Sequence, residues 1–207
     1  MTFFLGLDRA RTQLFSKATG DVAEVGVGTG LNLSKYDFGK ITSLTLIDVS
    51  EGMLQEAKAK AATYDTRIPI RFVQADATND LVAKFGHDRF DTVVDSFSLC
   101  VMGDRGARAC LQQLSDITKC DGGRVLLLEN TRSSNSLLGM YQDATADAAA
   151  AAGGKGCVYN QNVGAMIRDN PNLNLEKEVQ FVSGLFRSFE CTKRACPPLT
   201  AADGSSS

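Results

Sequence analysis

Residues 24–30, Glu-Val-Gly-Val-Gly-Thr-Gly, constrain the fold of this chain more than any other stretch of the sequence. They follow the apolar pair Val22-Ala23 and precede a segment of helical character that starts at Leu31. Glycine permits a sharp turn and lets a ligand lie against the main chain, where the amide groups at a helix start can bind it. The sequence therefore predicts a strand, a glycine turn and a helix, with a ligand site at the turn. The spacing is G-x-G-x-G, and the third glycine of the dinucleotide pattern G-x-G-x-x-G would fall at Leu31.

Strand-like and helix-like segments alternate after this turn, which predicts a mainly parallel α/β sheet. The predicted strands are 21–25, 43–48, 70–74, 91–96 and 124–129. The predicted helices between them are 31–36, 50–62, 78–85 and 105–118. Two further β-rich runs, 173–182 and 185–193, flank Ser183-Gly184 in the manner of an antiparallel hairpin. We expect a Rossmann-like, seven-stranded, mostly parallel sheet with a C-terminal antiparallel hairpin and helices on both faces.

Acidic residues follow the predicted strands at the edge where open α/β sheets bind ligands. Asp48 ends the second strand, where a carboxylate can accept hydrogen bonds from both ribose hydroxyls, each worth roughly 1.5–3 kcal/mol. Asp48 alone does not separate an S-adenosylmethionine site from an NAD site, and an acidic N-cap near Ser50 is a structural alternative. Asp76-Ala77 ends the third strand, where the acid can accept the adenine amino hydrogen.

Taken in order, these motifs resemble the class I S-adenosylmethionine-dependent methyltransferases over nearly the whole chain. The resemblance implies S-adenosylmethionine as cofactor and S-adenosylhomocysteine as product. It also implies that the glycine loop holds the methionine moiety, Asp48 the ribose and Asp76-Ala77 the adenine. The implied cofactor residues are Glu24, Gly26, Val27, Gly28, Thr29, Gly30, Asp48, Val49, Met53, Asp76, Ala77, Ser96 and Phe97.

Within the class, residues 25–33 and 96–101 are similar to the small-molecule group, which includes quinone, phospholipid N- and alkyl-thiol methyltransferases. That branch often has Glu-His at the end of the fifth strand, and Glu129-Asn130 here lacks this possible base. Candidate bases are Glu129, Asp95 and Tyr159. We expect the substrate wall to come from an N-terminal helix, residues 99–102 and an insertion at about 131–161. Its candidate residues are Leu99, Met102, Tyr141, Tyr159 and Asn160.

Composition excludes few functions, but it argues against a nucleic-acid partner and against a metal site. A net charge of -2 and a pI near 5.5 give no electrostatic reason to expect a nucleic acid. With one histidine and six scattered cysteines we expect no metal site, and we expect reduced thiols in an intracellular protein, cytoplasmic by default. Removal of an N-terminal leader would make a mitochondrial or membrane-associated location possible.

The ends of the chain are set apart from the predicted methyltransferase domain at 21–196. Residues 1–20 read as an apolar helix, for which packing on the sheet, a lid and a peripheral membrane contact are open alternatives. Residues 197–207 are expected to form a disordered tail. Nothing in the sequence predicts the oligomeric state.

Two functions compete with methyl transfer to a small lipophilic thiol, amine, phenol or quinol. One is a protein that binds S-adenosylmethionine without catalysis and acts in assembly. The other is an NAD(P)-dependent oxidoreductase, which in the short-chain class needs Tyr-x-x-x-Lys beyond the fourth strand. The match at Tyr36 and Lys40 falls between the first and second strands, where it cannot serve.

Overall fold

The computed structural model describes residues 2–152 and 158–194, with backbone only for residues 2–5, 147 and 149–152. Within them, seven strands form one sheet in the order β3-β2-β1-β4-β5-β7-β6. The strands are β1 Gly20–Val25, β2 Ile41–Asp48, β3 Ile70–Gln74, β4 Thr92–Ser96, β5 Arg124–Asn130, β6 Leu173–Phe181 and β7 Phe186–Lys193. The first five are parallel and the last two close the sheet as an antiparallel hairpin, which confirms the predicted fold.

Helices cover both faces because the central strands are apolar on both sides. Val94 belongs to a buried cluster with Phe15 and Leu54, whereas Val93 belongs to a second cluster with Ile117 and Ile167. The helices are α1 Thr2–Phe15, α2 Glu51–Ala61, α3 Leu81–Phe85, α4 Gly103–Ile117, α5 Ser136–Ala152 and α6 Val163–Asp169. Thus α1 and α2 pack on one face, and α4 and α6 pack on the other.

The predicted helix at 31–36 is wrong. Only a short 3-10 turn, Leu33–Lys35, forms there, and the backbone is already extended at Tyr36. The side chains of Asn32 and Tyr36 both point inward and bind Glu24. Because both must reach the same buried carboxylate, the segment forms a tight turn instead of a regular helix. The glycine loop is therefore not followed by a helix N-terminus.

Strand order changes direction between β1 and β4, which opens a crevice at the carboxyl ends of these strands. The chain runs from β1 outward to β2 and β3, then returns to the other side of β1 with β4. Open α/β sheets bind ligands at such a switch point. Asp48 and Asp76, two of the acids predicted from the sequence, lie at this edge.

Two other expectations concern thiols and membranes. Cys110 and Cys191 are free thiols, but Cys120 is disulfide-bonded, so the expectation of a reduced thiol is wrong for that residue. None of the helices within the described residues is both long and apolar enough to cross a bilayer. The predicted tail at 197–207 lies outside the described residues.

Candidate functional site

A cavity of about 560 Å³ lies at the carboxyl ends of β1, β2 and β3, against the loop that follows β4. Nine of the residues predicted from the sequence line it: Gly26, Gly28, Asp48, Val49, Met53, Asp76, Ala77, Phe97 and Met102. Val101, which falls within the predicted wall segment 99–102, also lines the cavity. The sequence analysis did not single out six further lining residues: Val25, Ile47, Ser50, Ala75, Thr78 and Ser98. Each of them is next to a predicted residue along the chain, and this nearness was the available signal.

Two glycines in the loop between β1 and the 3-10 turn bring the main chain to the cavity wall. Gly26 and Gly28 have φ values of +65° and +54°, which side chains rarely adopt. A Cβ on Gly26 would lie 2.6 Å from Cβ of Ser98, so the two loops touch there. A Cβ on Gly28 would meet no atom within 4 Å. Gly28 thus exposes main chain to open space at the cavity wall.

Asp48 ties the glycine loop to the start of α2. Its Oδ2 accepts the Gly28 N–H at 2.8 Å, and its Oδ1 accepts the Ser50 N–H at 2.9 Å. Both bonds run to backbone, so the carboxylate is held in one orientation at the cavity wall. Ser50 itself caps α2, accepting the Met53 N–H at 3.4 Å. The N-cap of α2 is therefore Ser50, so the alternative of Asp48 as an acidic N-cap is wrong.

Asp76 is held at the end of β3 by the residue two positions on. Its Oδ1 accepts the Thr78 N–H at 2.8 Å and the Thr78 hydroxyl at 2.7 Å. These hydrogen bonds lower the pKa of Asp76 below its usual range. The side chain is therefore a charged acceptor beside the buried Ala77.

Glu24 lies beneath the glycine loop and not at the cavity wall. It is fully buried, its Oε1 accepting from Asn32 Nδ2 at 2.7 Å and its Oε2 from the Tyr36 hydroxyl at 2.7 Å. Burial raises the pKa of Glu24 to about 7, against the opposing effect of these two bonds. Asn32 also donates to Ser96 Oγ at 2.9 Å, which links β1 to β4. Glu24 and Ser96 therefore support the loop from below.

Phe97 begins the loop after β4 in a left-handed conformation, with φ of +59°. Such a conformation is costly for a bulky residue and is held by its surroundings. The Phe186 ring packs edge-on at 5.8 Å between centroids, and the Arg11 guanidinium lies 5.1 Å from the centre of the Phe97 ring. Arg11, which was not among the predicted site residues, connects α1 to the wall of the cavity.

Comparison with known proteins agrees with this geometry. Residues 22–122 match the sequence family described as Methyltransferase domain. OMS1, a mitochondrial methyltransferase of Saccharomyces cerevisiae, is 30% identical over 84% of this chain and 38% of its own length. The ubiquinone/menaquinone biosynthesis C-methyltransferase UbiE of Azotobacter vinelandii is 30% identical over 59% of this chain and 47% of its own length.

The chain belongs to the class I S-adenosylmethionine-dependent methyltransferases. Its aligned part spans less than half the length of the two relatives named above. An O-methyltransferase family protein of Burkholderia thailandensis shares the fold of this chain with a TM-score of 0.71 at 16% identity, over 91% of this chain and 55% of the other.

The cofactor implied by this family fits the residues present. The cavity offers an exposed stretch of main chain at Gly28, and carboxylates at the ends of two neighbouring strands. Val49 and Met53, 65% and 37% exposed, add apolar surface between them. Main-chain amides, acids and apolar side chains in one cavity match the amino acid, ribose and adenine parts of S-adenosylmethionine.

The fold does not bring the candidate bases to the cavity. Asp95 and Glu129 are both fully buried and lie outside the cavity wall. Glu129 Oε1 accepts the Ser98 and Leu99 N–H groups at 3.2 and 3.4 Å. Tyr159 bonds through its hydroxyl to Thr145 Oγ1 at 2.7 Å. The first two side chains therefore position the loop after β4, and their place argues against contact with a substrate.

Other predicted residues also lie away from the cavity wall: Val27, Thr29, Gly30, Leu99, Tyr141 and Asn160. Leu99 is fully buried and Tyr141 is 65% exposed on α5. Asn160 Nδ2 donates to Asp143 Oδ1 at 3.2 Å. A substrate role for the insertion at 131–161 stays a prediction.

Proposed function

We propose that this chain binds S-adenosylmethionine at the cavity and transfers its methyl group to a small lipophilic molecule. The observation that carries the proposal is the convergence of Gly28, Asp48 and Asp76 on one cavity at the switch point of the sheet. S-adenosylmethionine, when bound, supplies a methyl group on a positively charged sulfur, which a nucleophile removes by in-line displacement. The protein's part in such a reaction is to bind, to orient and to exclude water.

Each part of the cavity has a proposed task. Asp48 accepts hydrogen bonds from the ribose hydroxyls, and its backbone bonds hold the carboxylate ready for them. Asp76 and Ala77 bind the adenine edge. Met53 packs on the adenine face, and the loop around Gly28 binds the methionine part. Glu24 contributes by fixing the loop from below, through Asn32 and Tyr36.

Apolar surface at the cavity supports a lipophilic substrate. Val101 is 45% exposed and lines the cavity together with Met102 and Phe97. The relatives UbiE and a physcion biosynthesis O-methyltransferase of Aspergillus chevalieri carry names that point to small molecules. We propose a thiol, amine, phenol or quinol as acceptor. A thiolate or a neutral amine needs little base catalysis, which agrees with the burial of Asp95 and Glu129.

The second candidate is a binding protein without catalysis that acts in assembly. The absence of Asp95 and Glu129 from the cavity wall favours it, since the described part of the chain then offers neither of these acids to a substrate. A haloarchaeal structural neighbour was solved in complex with a Trm112 methyltransferase activator. Incubation with S-adenosylmethionine and a panel of thiols, amines, phenols and quinols separates the two. Formation of S-adenosylhomocysteine supports the enzyme, and binding without turnover supports the assembly role.

Calorimetric titration with S-adenosylhomocysteine tests the cofactor site directly. We expect micromolar binding by the wild type and a loss of about tenfold or more in Asp48→Ala, since two charge-assisted bonds are removed. Asp65→Ala removes an exposed acid outside the cavity and is the matched control. Because Asp48 also holds two backbone amides, Asp76→Ala serves as a second variant at the opposite end of the site. A folded wild type that does not bind, or full affinity in both cavity variants, would contradict the proposal.

Location and membrane contact form a separate part of the proposal. The similarity to OMS1, whose name places it in mitochondria, supports a mitochondrial location for this chain. A peripheral membrane contact through α1 stays a prediction as well. Cosedimentation with phospholipid vesicles, wild type beside Arg9→Glu on the exposed side of α1, tests the contact. Equal partition of both proteins into the supernatant would exclude it.

A further inference from the structure

Two buried carboxyl groups lie beneath the loop that forms one wall of the cavity. Asp95 on β4 pairs in register with Leu127 on β5, and Glu129 is two residues further along β5. Side chains two residues apart point to the same face of a strand, so both acids lie on the face covered by α4. Neither side chain has any exposed surface.

Two buried oxygens of this pair lack a hydrogen-bond donor. Each acid binds Ser98 through one oxygen, Asp95 through Oδ2 and Glu129 through Oε1. The other two oxygens, Asp95 Oδ1 and Glu129 Oε2, are buried with no donor among the described residues. A proton shared between the two acids would supply the donor that these oxygens lack. Two carboxylates offer only acceptors, so a bond between them exists only when one carries a proton. Burial raises the pKa of both acids, that of Glu129 well above its usual range and that of Asp95 to about 6.

The pair is connected to the cavity through Ser98. The Ser98 hydroxyl donates to Asp95 Oδ2, and the Ser98 and Leu99 amides donate to Glu129 Oε1. Ser98 in turn packs on Gly26, where a single added carbon would come within 2.6 Å of its Cβ. A displacement of Ser98 would therefore move both the loop at Phe97 and the glycine loop.

We propose that Glu129 is a positioning residue, which holds the loop at 97–99 in its cofactor-binding position through a proton shared with Asp95. Loss of the proton leaves two charges facing each other in a buried space, and the loop moves away to admit water. S-adenosylhomocysteine affinity then falls as pH rises. This inference rests on the proposed cofactor site, whose own test is binding at neutral pH.

Other titratable groups face the pair from the elements around it. Cys110 faces it from α4, and burial together with both acids raises the pKa of its thiol. Glu24 acts on Asp95 from β1, across the sheet. Arg187 lies opposite Glu129 on β7, but its guanidinium bonds Glu178 and the Arg132 carbonyl. Cys110 is thus the group whose titration could be confused with that of the pair.

The experiment measures the affinity for S-adenosylhomocysteine at several pH values between about pH 6 and about pH 9. For each protein, every affinity is divided by the affinity of the same protein at pH 7. We expect the wild type to lose at least about fivefold at the alkaline end, beyond the change that the ligand's own amine produces. Glu129→Gln keeps the affinity, because its amide donates permanently to Asp95 while its carbonyl accepts from the loop. Asp95→Asn is the substitute variant if Glu129→Gln does not fold. In Asp95→Asn the amide of the new asparagine donates to Glu129. Cys110→Ala should follow the wild type.

The outcomes separate this inference from the cofactor proposal. Identical pH profiles in the wild type and Glu129→Gln, with binding intact, overturn the inference alone. So does a Cys110→Ala profile that is flat where the wild type falls. If the wild type binds at no pH, the cofactor proposal fails, and infrared spectroscopy of the free protein decides on the shared proton. A protonated-carboxyl band at neutral pH that is missing in Glu129→Gln supports the shared proton, and its absence from the wild type overturns it.

Discussion

Gly26 and Gly28 have similar left-handed backbones, yet a side chain would meet different surroundings at each position. A Cβ on Gly26 would overlap Ser98, and a Cβ on Gly28 would meet no atom within 4 Å. We expect Gly28→Ala to cost about 1–2 kcal/mol of folding free energy, the usual penalty of a left-handed conformation. Gly26→Ala should cost about 1–3 kcal/mol more, because the loops must separate. Urea unfolding of both variants measures the difference, and equal costs would show that Ser98 does not limit the loop.

For single residues, the sequence predicts those site residues whose position depends on the main chain alone. Gly26, Gly28, Asp48 and Asp76 each lie at the end of a strand or within three residues of it, so strand position alone brings them to the cavity. The sequence does not predict the place of Glu129, which also lies near the end of its strand, one residue before the end of β5. Whether a strand-end acid faces the cavity or the core depends on the helix packed above it, and in this case α4 buries it.

Among the elements, α1 is the one for which the sequence left several roles open. Ala10, Leu14 and Phe15 are buried, and the Phe15 ring packs edge-on against Tyr36 at 5.4 Å between centroids. Because Tyr36 also bonds Glu24, the helix is connected to the support of the glycine loop. Lys17, just after the helix, adds an ion pair to Glu190 on β7 at 2.6 Å. These contacts join α1 to both halves of the sheet.

We therefore expect Phe15→Ala to destabilise the whole domain, by about 3–5 kcal/mol, as large-to-small changes in a packed core do. Gln13→Ala, on the exposed side of the same helix, should change stability by no more than about 0.5 kcal/mol. Chemical denaturation followed by circular dichroism measures both. A loss confined to S-adenosylhomocysteine affinity, with stability unchanged in Phe15→Ala, would instead identify α1 as a mobile lid.

Strands were predicted more accurately than the segment that follows the glycine loop. The central strands β4 and β5 carry apolar runs, Val93-Val94 and residues 125–128, which a sheet covered on both faces can bury. Residues 31–36 carry a weaker pattern, and their conformation is decided by a buried acid seven or more positions away along the chain. Local sequence preference does not contain that contact, so the expected helix was wrong.

For the molecule as a whole, the fold limits the ligand to a few classes but does not identify it. Sheets of this kind bind both S-adenosylmethionine and dinucleotides. A ligand that binds only the folded state raises stability by about 2.7 kcal/mol at a concentration one hundred times its dissociation constant. For a domain of this size that corresponds to a rise in melting temperature of about 5–10 °C. We expect this rise with S-adenosylhomocysteine and none with NADH at the same concentration. The reverse pattern would restore the oxidoreductase hypothesis, because the glycine spacing and Asp48 would then serve a dinucleotide.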